Sequence, residues 1–298
     1  MRGRRGSGLA GPPQRERRAG RGVGDLGRAI GAALAVGAAT VRDSDLVDLV
    51  LPRECGGCLR PGAVWCARCT RALEGLAFGP PAPRDPGGHS THTPAVKGHA
   101  RVHGGGPWVV PHPVPEGMPP VHAWGVYADP LRAAVSAWKD AGRRDLEAVL
   151  VPLLAVSLDA ALAGVGWDAG VVLVVPAPSS RRAVRERGDT PMTGLCEAAV
   201  AQLVGRPGPA LRVAPALRHV RRVEDQSGLG TVERRGNLAG ALSVIPLWHN
   251  VIRGRRCLLV DDVVTTGATF AEATRALRAA GAGSVVGASM AATQRTRG

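Results

Sequence analysis

Residues 257–269 read Cys257-Leu-Leu-Val-Asp-Asp-Val-Val-Thr-Thr-Gly-Ala-Thr269, and the fold follows from how that string divides. Its opening, Cys257 to Val260, is an uninterrupted apolar run, the composition of a strand buried on both faces of a parallel sheet. Two carboxylates, Asp261 and Asp262, close the strand. A turn follows, and Ala268 to Ala280 then has the composition of a helix, which Gly281 stops. Ser284 to Ala291 is a second apolar strand. Strand, helix and strand in that order form a crossover unit, which builds a parallel sheet.

The same pattern recurs upstream. Val171 to Val175 is five consecutive aliphatics ended by Pro176, and a helix is expected from Pro191 to Leu203. Further back, Trp124 to Tyr127 reads as a short strand and Pro130 to Trp138 as a short helix. Asp145 to Leu162 carries Leu146, Val149, Leu150, Leu153, Leu154, Leu158 and Leu162, the spacing of an amphipathic helix that Pro152 should bend or weaken. The expected class is α/β, a doubly wound parallel sheet, in which ligands bind outside the carboxyl ends of the strands. The turn after Asp262 lies at such an end.

The residue types in that turn suit a phosphate. Thr265, Thr266 and Thr269 offer hydroxyls, and Gly267 lets the backbone approach closely. The helix beginning at Ala268 presents unpaired N–H groups and a positive dipole end. Val263 and Val264 carry the chain from the strand into this loop. Asp261 and Asp262, just before it, can accept hydrogen bonds from the vicinal hydroxyls of a sugar or bind Mg²⁺ through water. A phosphate beside a diol is the pattern of ribose 5-phosphate. An ordinary N-cap would call for one Thr or Asp, not the whole string.

A second signal is Cys55-Gly-Gly-Cys58 followed, seven residues later, by Cys66-Ala-Arg-Cys69. Each two-residue gap lets a pair of thiolates turn toward one ion, and two such knuckles supply the four ligands of a closed tetrahedral site. Structural Zn²⁺ is the expected metal, in a module spanning 43–78. Two disulfides or a redox pair are the other readings of these cysteines. Cys196 and Cys257 stand alone among apolar neighbours and are expected in the core.

Lys and Arg number 38 against 24 Asp and Glu, a formal charge of +14, which favours anionic partners. Residues 1–24 hold seven Arg and one Glu among Gly and Pro, so 1–42 is read as a disordered basic tail followed by a short helix. Leu26 to Ala39 superficially resembles the apolar part of a secretory signal, but Asp25 and Arg28 intrude. With unpaired cysteines expected, the chain is read as cytoplasmic. Residues 79–120, dense in Pro, Gly and His, read as a linker, and a folded domain is expected over 121–294. No uninterrupted apolar stretch reaches the roughly 18 residues of a membrane span.

The string at 257–269 resembles the phosphoribosyl-diphosphate (PRPP) signature of type I phosphoribosyltransferases. With the four-cysteine knuckle in front, the chain is similar to the ComF competence-type family, in which a small zinc module precedes such a domain. The resemblance implies a sheet of the type I phosphoribosyltransferase type. It also implies PRPP with Mg²⁺ as ligand, Asp261 and Asp262 as the catalytic pair, and 263–269 as the phosphate loop. Lys139, Gly142 and Arg143 match a family block after the short helix. Ala177, Pro178, Ser179, Ser180, Arg181 and Arg182 match its diphosphate-side loop, and Arg221 and Arg222 its flap. On composition alone, the arginines of 181–187 could equally line a solvated helix face. Two departures, Gly188-Asp-Thr-Pro191 and Val223 where Thr is usual, bear on the acceptor and flap.

The implied reaction displaces diphosphate from PRPP with an unknown nucleophilic acceptor, although no general base stands out. The alternative is a competence-type DNA-uptake or single-stranded-DNA-binding protein that works with competence proteins and uses PRPP as ligand or signal. Charge favours this alternative. The six Trp, two Phe and one Tyr form no cluster on which bases would stack, which weighs against it.

Overall fold

The apolar run at 257–260 becomes the centre of a six-stranded sheet. The computed structural model describes residues 53–78, 108–109, 111, 114–179, 190–220 and 240–294. In it β1 is Trp108–Val109, β2 Val121–Val126, β3 Val171–Pro176 and β4 Ala210–Val213. β5 is Leu217–His219, β6 Leu242–Val244, β7 Arg256–Val264 and β8 Ser284–Ala292. The helices are α1 Ala67–Glu74, α2 Leu131–Asp140, α3 Glu147–Gly164, α4 Pro191–Gln202, α5 His249–Ile252 and α6 Ala268–Ala279.

The strands run β1-β2-β8-β7-β3-β4, and every neighbouring pair is parallel except β1 with β2. From β3 the chain passes through α4 to β4 on one side. From β7 it passes through α6 to β8 on the other. These departures diverge from adjacent strands, registered Pro176 to Val260, so a crevice opens at their carboxyl ends.

Alternation along the strands splits the core in two. Val172, Val174, Leu258, Val260, Val286 and Ala288 face α2, α3 and α4, whereas Leu173, Val175, Cys257, Leu259 and Val285 face α6 and the separate β5–β6 hairpin. α2 buries Leu131, Ala134, Val135 and Trp138, one stripe at helical spacing. Cys196 and Cys257 are in the core, as expected.

The amphipathic reading of 145–162 is corrected. α3 is buried almost all round, including Val149, Leu150, Val151, Leu153, Leu154 and Leu158. It lies against β2 and β8 on one side and α4 on the other, which leaves little of its surface for water. The helix continues through Pro152. With its preceding turn (144–164) it is the one described helix long and apolar enough to cross a membrane; its 18-residue apolar window has a mean hydropathy of 1.9, yet 72% of that window is buried in the protein.

The tail and short helix expected in 1–42 lie outside the described residues, as does most of the expected linker. Its described end contributes β1, whose residues pair Trp108 with His122 and Val109 with Val121. Residues 76–78 take the rest of that edge. Val126 N–H donates to the Leu76 carbonyl at 2.9 Å and Phe78 N–H to that of Trp124 at 3.0 Å. The four-cysteine module is thereby tied to the sheet, and its Trp65 and Leu73 share a core cluster with Trp124, Leu131, Trp138 and Leu146. β1 and the bridge made by residues 76–78 together cover the outer edge of β2.

Candidate functional site

The crevice is a cavity of about 590 Å³. β7 contributes Asp261, Asp262 and Val263, the following turn Thr265, and the first helical turn Thr269. Ala177, Pro178 and Ser179 come from the end of β3, and Lys139 with Trp138 from the last turn of α2. The candidates named on sequence from three separate segments therefore meet in one space. Val264 is buried, with its carbonyl accepting the Thr293 N–H at 2.9 Å, so it supports the loop from behind. Thr266, Gly267 and Ala268 also lie off the cavity wall. The Thr266 hydroxyl accepts the Ala268 N–H at 3.4 Å, a local turn at the start of α6. Ser180, Arg181, Arg182, Arg221 and Arg222 lie outside the described residues.

Gly267 adopts φ +77°, the left-handed conformation that favours glycine. A Cβ there would overlap Met118 and lie 3.0 Å from Pro111 Cγ. Met118 has a flexible side chain that can yield, so the backbone conformation is the larger cost. We expect Gly267→Ala to cost about 1–2 kcal/mol in stability, by the usual penalty for a side chain in this region. Adding Met118→Ala should restore only a minor part. Thermal denaturation of the single and double variants checks this, and full rescue by Met118→Ala would make the clash dominant instead.

The acidic pair is tightly engaged. Asp262 is 5% exposed; its Oδ1 accepts the Val263 N–H at 2.9 Å, and its Oδ2 receives Lys139 Nζ at 2.5 Å. Asp261 Oδ1 accepts the Asp262 N–H at 2.9 Å. Burial, reinforced by the adjacent Asp262 charge, pushes the Asp261 carboxyl up to about 8, and Lys139 offsets this only in part. For Lys139, burial acts to lower the pKa, but Asp262 and Asp261 outweigh it and hold the ammonium above its ordinary value.

Sequence reasoning did not pick out Tyr127, Met192, His219 or Leu242, which also line the cavity. Tyr127 follows the carboxyl end of β2, the position where ligand contacts cluster in such sheets, so a signal existed. His219 had none. Its Nε2 lies 3.1 Å from the Pro178 carbonyl, 41 residues away in sequence, joining β5 to the end of β3. The segment leading toward Arg221 and Arg222 begins as a strand, with Leu217 paired to Val244 and His219 to Leu242.

At the far end of α2 the four cysteine sulfurs lie within 4.8 Å of one another. Cys55 to Cys69 and Cys58 to Cys66 are each 3.6 Å apart. Four thiolates about 2.3 Å from one Zn²⁺ in a tetrahedron would be separated by roughly 3.8 Å, so these residues fit such an ion. The thiols are not joined as disulfides. Cys66 N–H donates to Cys55 Sγ at 3.4 Å. Burial acts to raise the Cys66 pKa, but hydrogen bonds from the Cys69 backbone and the neighbouring cysteines bring it down to about 6. Cys69 is pushed well up by burial and by those same neighbours.

The acidic end of β7 and two threonines that follow it, Thr265 and Thr269, thus face one cavity at the carboxyl ends of the parallel strands. Residues 211–297 match the family model of the phosphoribosyl transferase domain. Among curated proteins, no match to the chain was found. The matched phosphoribosyl transferase domain begins in β4 and contains Asp261 to Thr269. β2 and β3 precede the matched stretch but belong to the same sheet, and α2, which also precedes it, lines the same cavity.

Proposed function

We propose that this chain binds PRPP with Mg²⁺ in the cavity between β3 and β7 and transfers its phosphoribosyl group to an acceptor, releasing diphosphate. One observation carries the reading: Thr265 and Thr269, the Asp261–Asp262 pair and Ala177 to Ser179 line a single cavity. Phosphate, ribose and diphosphate then each meet a separate wall. The 5-phosphate is taken by Thr265 in the turn and Thr269 in the first turn of α6, the two residues there that line the cavity. The ribose hydroxyls donate to Asp261, and the diphosphate lies along 177–179.

In the reaction the bond from C1 to the diphosphate oxygen breaks, with its electron pair leaving on the diphosphate. The nucleophile's lone pair forms the new bond at C1, and its proton passes to solvent. The carboxylates lie where positive charge develops on the ribose and stabilise it electrostatically. Asp261 would hold Mg²⁺ through water, and the ion would supply positive charge to offset that of the departing diphosphate. The acceptor is expected near Tyr127, Met192 and Leu242, which also line the cavity.

We also read Cys55, Cys58, Cys66 and Cys69 as a structural Zn²⁺ site, four sulfurs leaving no coordination position for substrate. The primary test is calorimetric titration of the full chain with PRPP in the presence of MgCl₂. Saturable binding of one PRPP per chain is expected, and ribose 5-phosphate should compete. Absence of any binding at millimolar PRPP would end this reading.

A further inference from the structure

Lys139 and Asp262 are 123 residues apart in sequence and 2.5 Å apart in space. Lys139 does not sit on a loose surface helix. Its neighbour Trp138 is fully buried, and the Trp138 indole N–H donates to Glu147 Oε1 at 3.0 Å. Arg144 donates to the Trp138 carbonyl at 2.6 Å and lies 5.4 Å from the centre of its ring. The last turn of α2 is thereby held in place, and the ammonium is delivered to the wall of the cavity. Asp140 and Asp261 add their charges to that of Asp262 in stabilising it.

Three carboxylate oxygens of the pair are therefore engaged by protein donors: Asp262 Oδ1 by Val263, Asp262 Oδ2 by Lys139 and Asp261 Oδ1 by the Asp262 amide. A divalent ion needs several open oxygens, and Mg²⁺ gives up its water reluctantly. An ammonium against one of the two carboxylates also cancels much of the field that would attract such an ion.

We infer that Lys139 is the built-in cation of this site: its ammonium stands beside Asp262 where a divalent ion would otherwise bind, so the acidic pair is no divalent-cation site in the ligand-free protein. Any Mg²⁺ then enters with the phosphates of the ligand. This deepens the PRPP reading and rests on it only for the identity of that ligand.

The test uses Mn²⁺ as the probe, with electron paramagnetic resonance of the free ion, on the zinc-loaded full chain without PRPP. The wild type should show no binding at the acidic pair below about 1 mM. Lys139→Met should bind one Mn²⁺ at least about tenfold more tightly, since a cation no longer opposes it. Lys139→Arg should stay weak, and Lys139→Met/Asp262→Asn should lose the gain. Circular dichroism confirms folding, and Lys139→Gln substitutes if Lys139→Met does not fold. Submillimolar Mn²⁺ binding by the wild type that is lost in Asp262→Asn would overturn the inference, as would folded Lys139→Met and Lys139→Gln variants with unchanged affinity. Because PRPP is absent, a gain in Lys139→Met supports the inference even if the PRPP titration fails.

Discussion

Asp261→Asn should weaken Mg²⁺-dependent PRPP binding by about 100-fold above pH 8, the loss expected when two hydrogen bonds to a charged acceptor become bonds to a neutral one. Its pH dependence separates this role from a merely structural one. Burial and the neighbouring Asp262 charge raise the Asp261 pKa to about 8, against the opposing pull of Lys139. Ribose hydroxyls donate to a carboxylate, so the competent form is the one populated above that value. Wild-type affinity should climb as pH rises from 7 to 8 and level off beyond it, whereas the asparagine variant stays flat across that window. The phosphates of the ligand titrate near 6 and fall outside it. His219 also lines the cavity, so a His219→Gln control belongs in the series.

Stability runs the other way. An acid whose pKa is raised on folding binds a proton that the unfolded chain has already released, so its contribution is present at low pH and is lost as pH rises through the folded value. Relative to Asp261→Asn, the wild type should therefore lose stability between pH 6 and 8. A flat wild-type binding profile, or an undiminished affinity in a folded Asp261→Asn variant, would remove Asp261 from the ribose site.

Cys69→Ser should release the metal and cost more than about 4 kcal/mol, the range in which loss of a bound metal falls. For a domain of this size that is a drop of roughly 10 °C in melting temperature. The damage should not stop at the module. Cys55, Trp65, Cys69 and Leu73 lie in the same buried cluster as Leu131, Trp138 and Leu146. A Cβ on Gly57 would lie 2.7 Å from Pro130 Cβ and 2.8 Å from Cys69 Sγ, so the knuckle sits directly against the residue that opens α2. Arg143 adds a bond to the Glu54 carbonyl at 3.0 Å. Losing the module thus unbraces the helix that carries Lys139, and PRPP affinity should fall together with stability.

A fragment beginning at 121 matches the boundary drawn from composition, but it would expose Leu131, Trp138 and Leu146, and we expect it to be poorly soluble. Metal content by mass spectrometry and thermal denaturation check both statements. A zinc-free wild type, or a Cys69→Ser protein that melts like the wild type, would contradict them.

The amino-acid sequence by itself determined what depends on neighbours along the chain. Val171 to Val175 and Cys257 to Val260 are apolar on both faces, so they had to be central parallel strands whatever surrounds them. The thirteen residues from Cys257 to Thr269 carry strand, acidic end, turn and helix start in contiguous order, and the two knuckles at 55–58 and 66–69 are likewise local.

Tertiary structure decided the contacts between distant segments. α3 carries apolar residues at helical spacing, yet only its placement between β2, β8 and α4 shows that nearly every side is covered. Lys139 reaches Asp262 because the last turn of α2 lies at the carboxyl end of β7, and His219 reaches Pro178 because β5 comes to the end of β3. The cysteine module reads as a separate unit, but its knuckle glycines and Trp65 pack into a core built by residues up to 90 positions away. Local pattern specifies which face of an element must be buried, whereas the partner that buries it is chosen by global packing, which no short window of sequence contains.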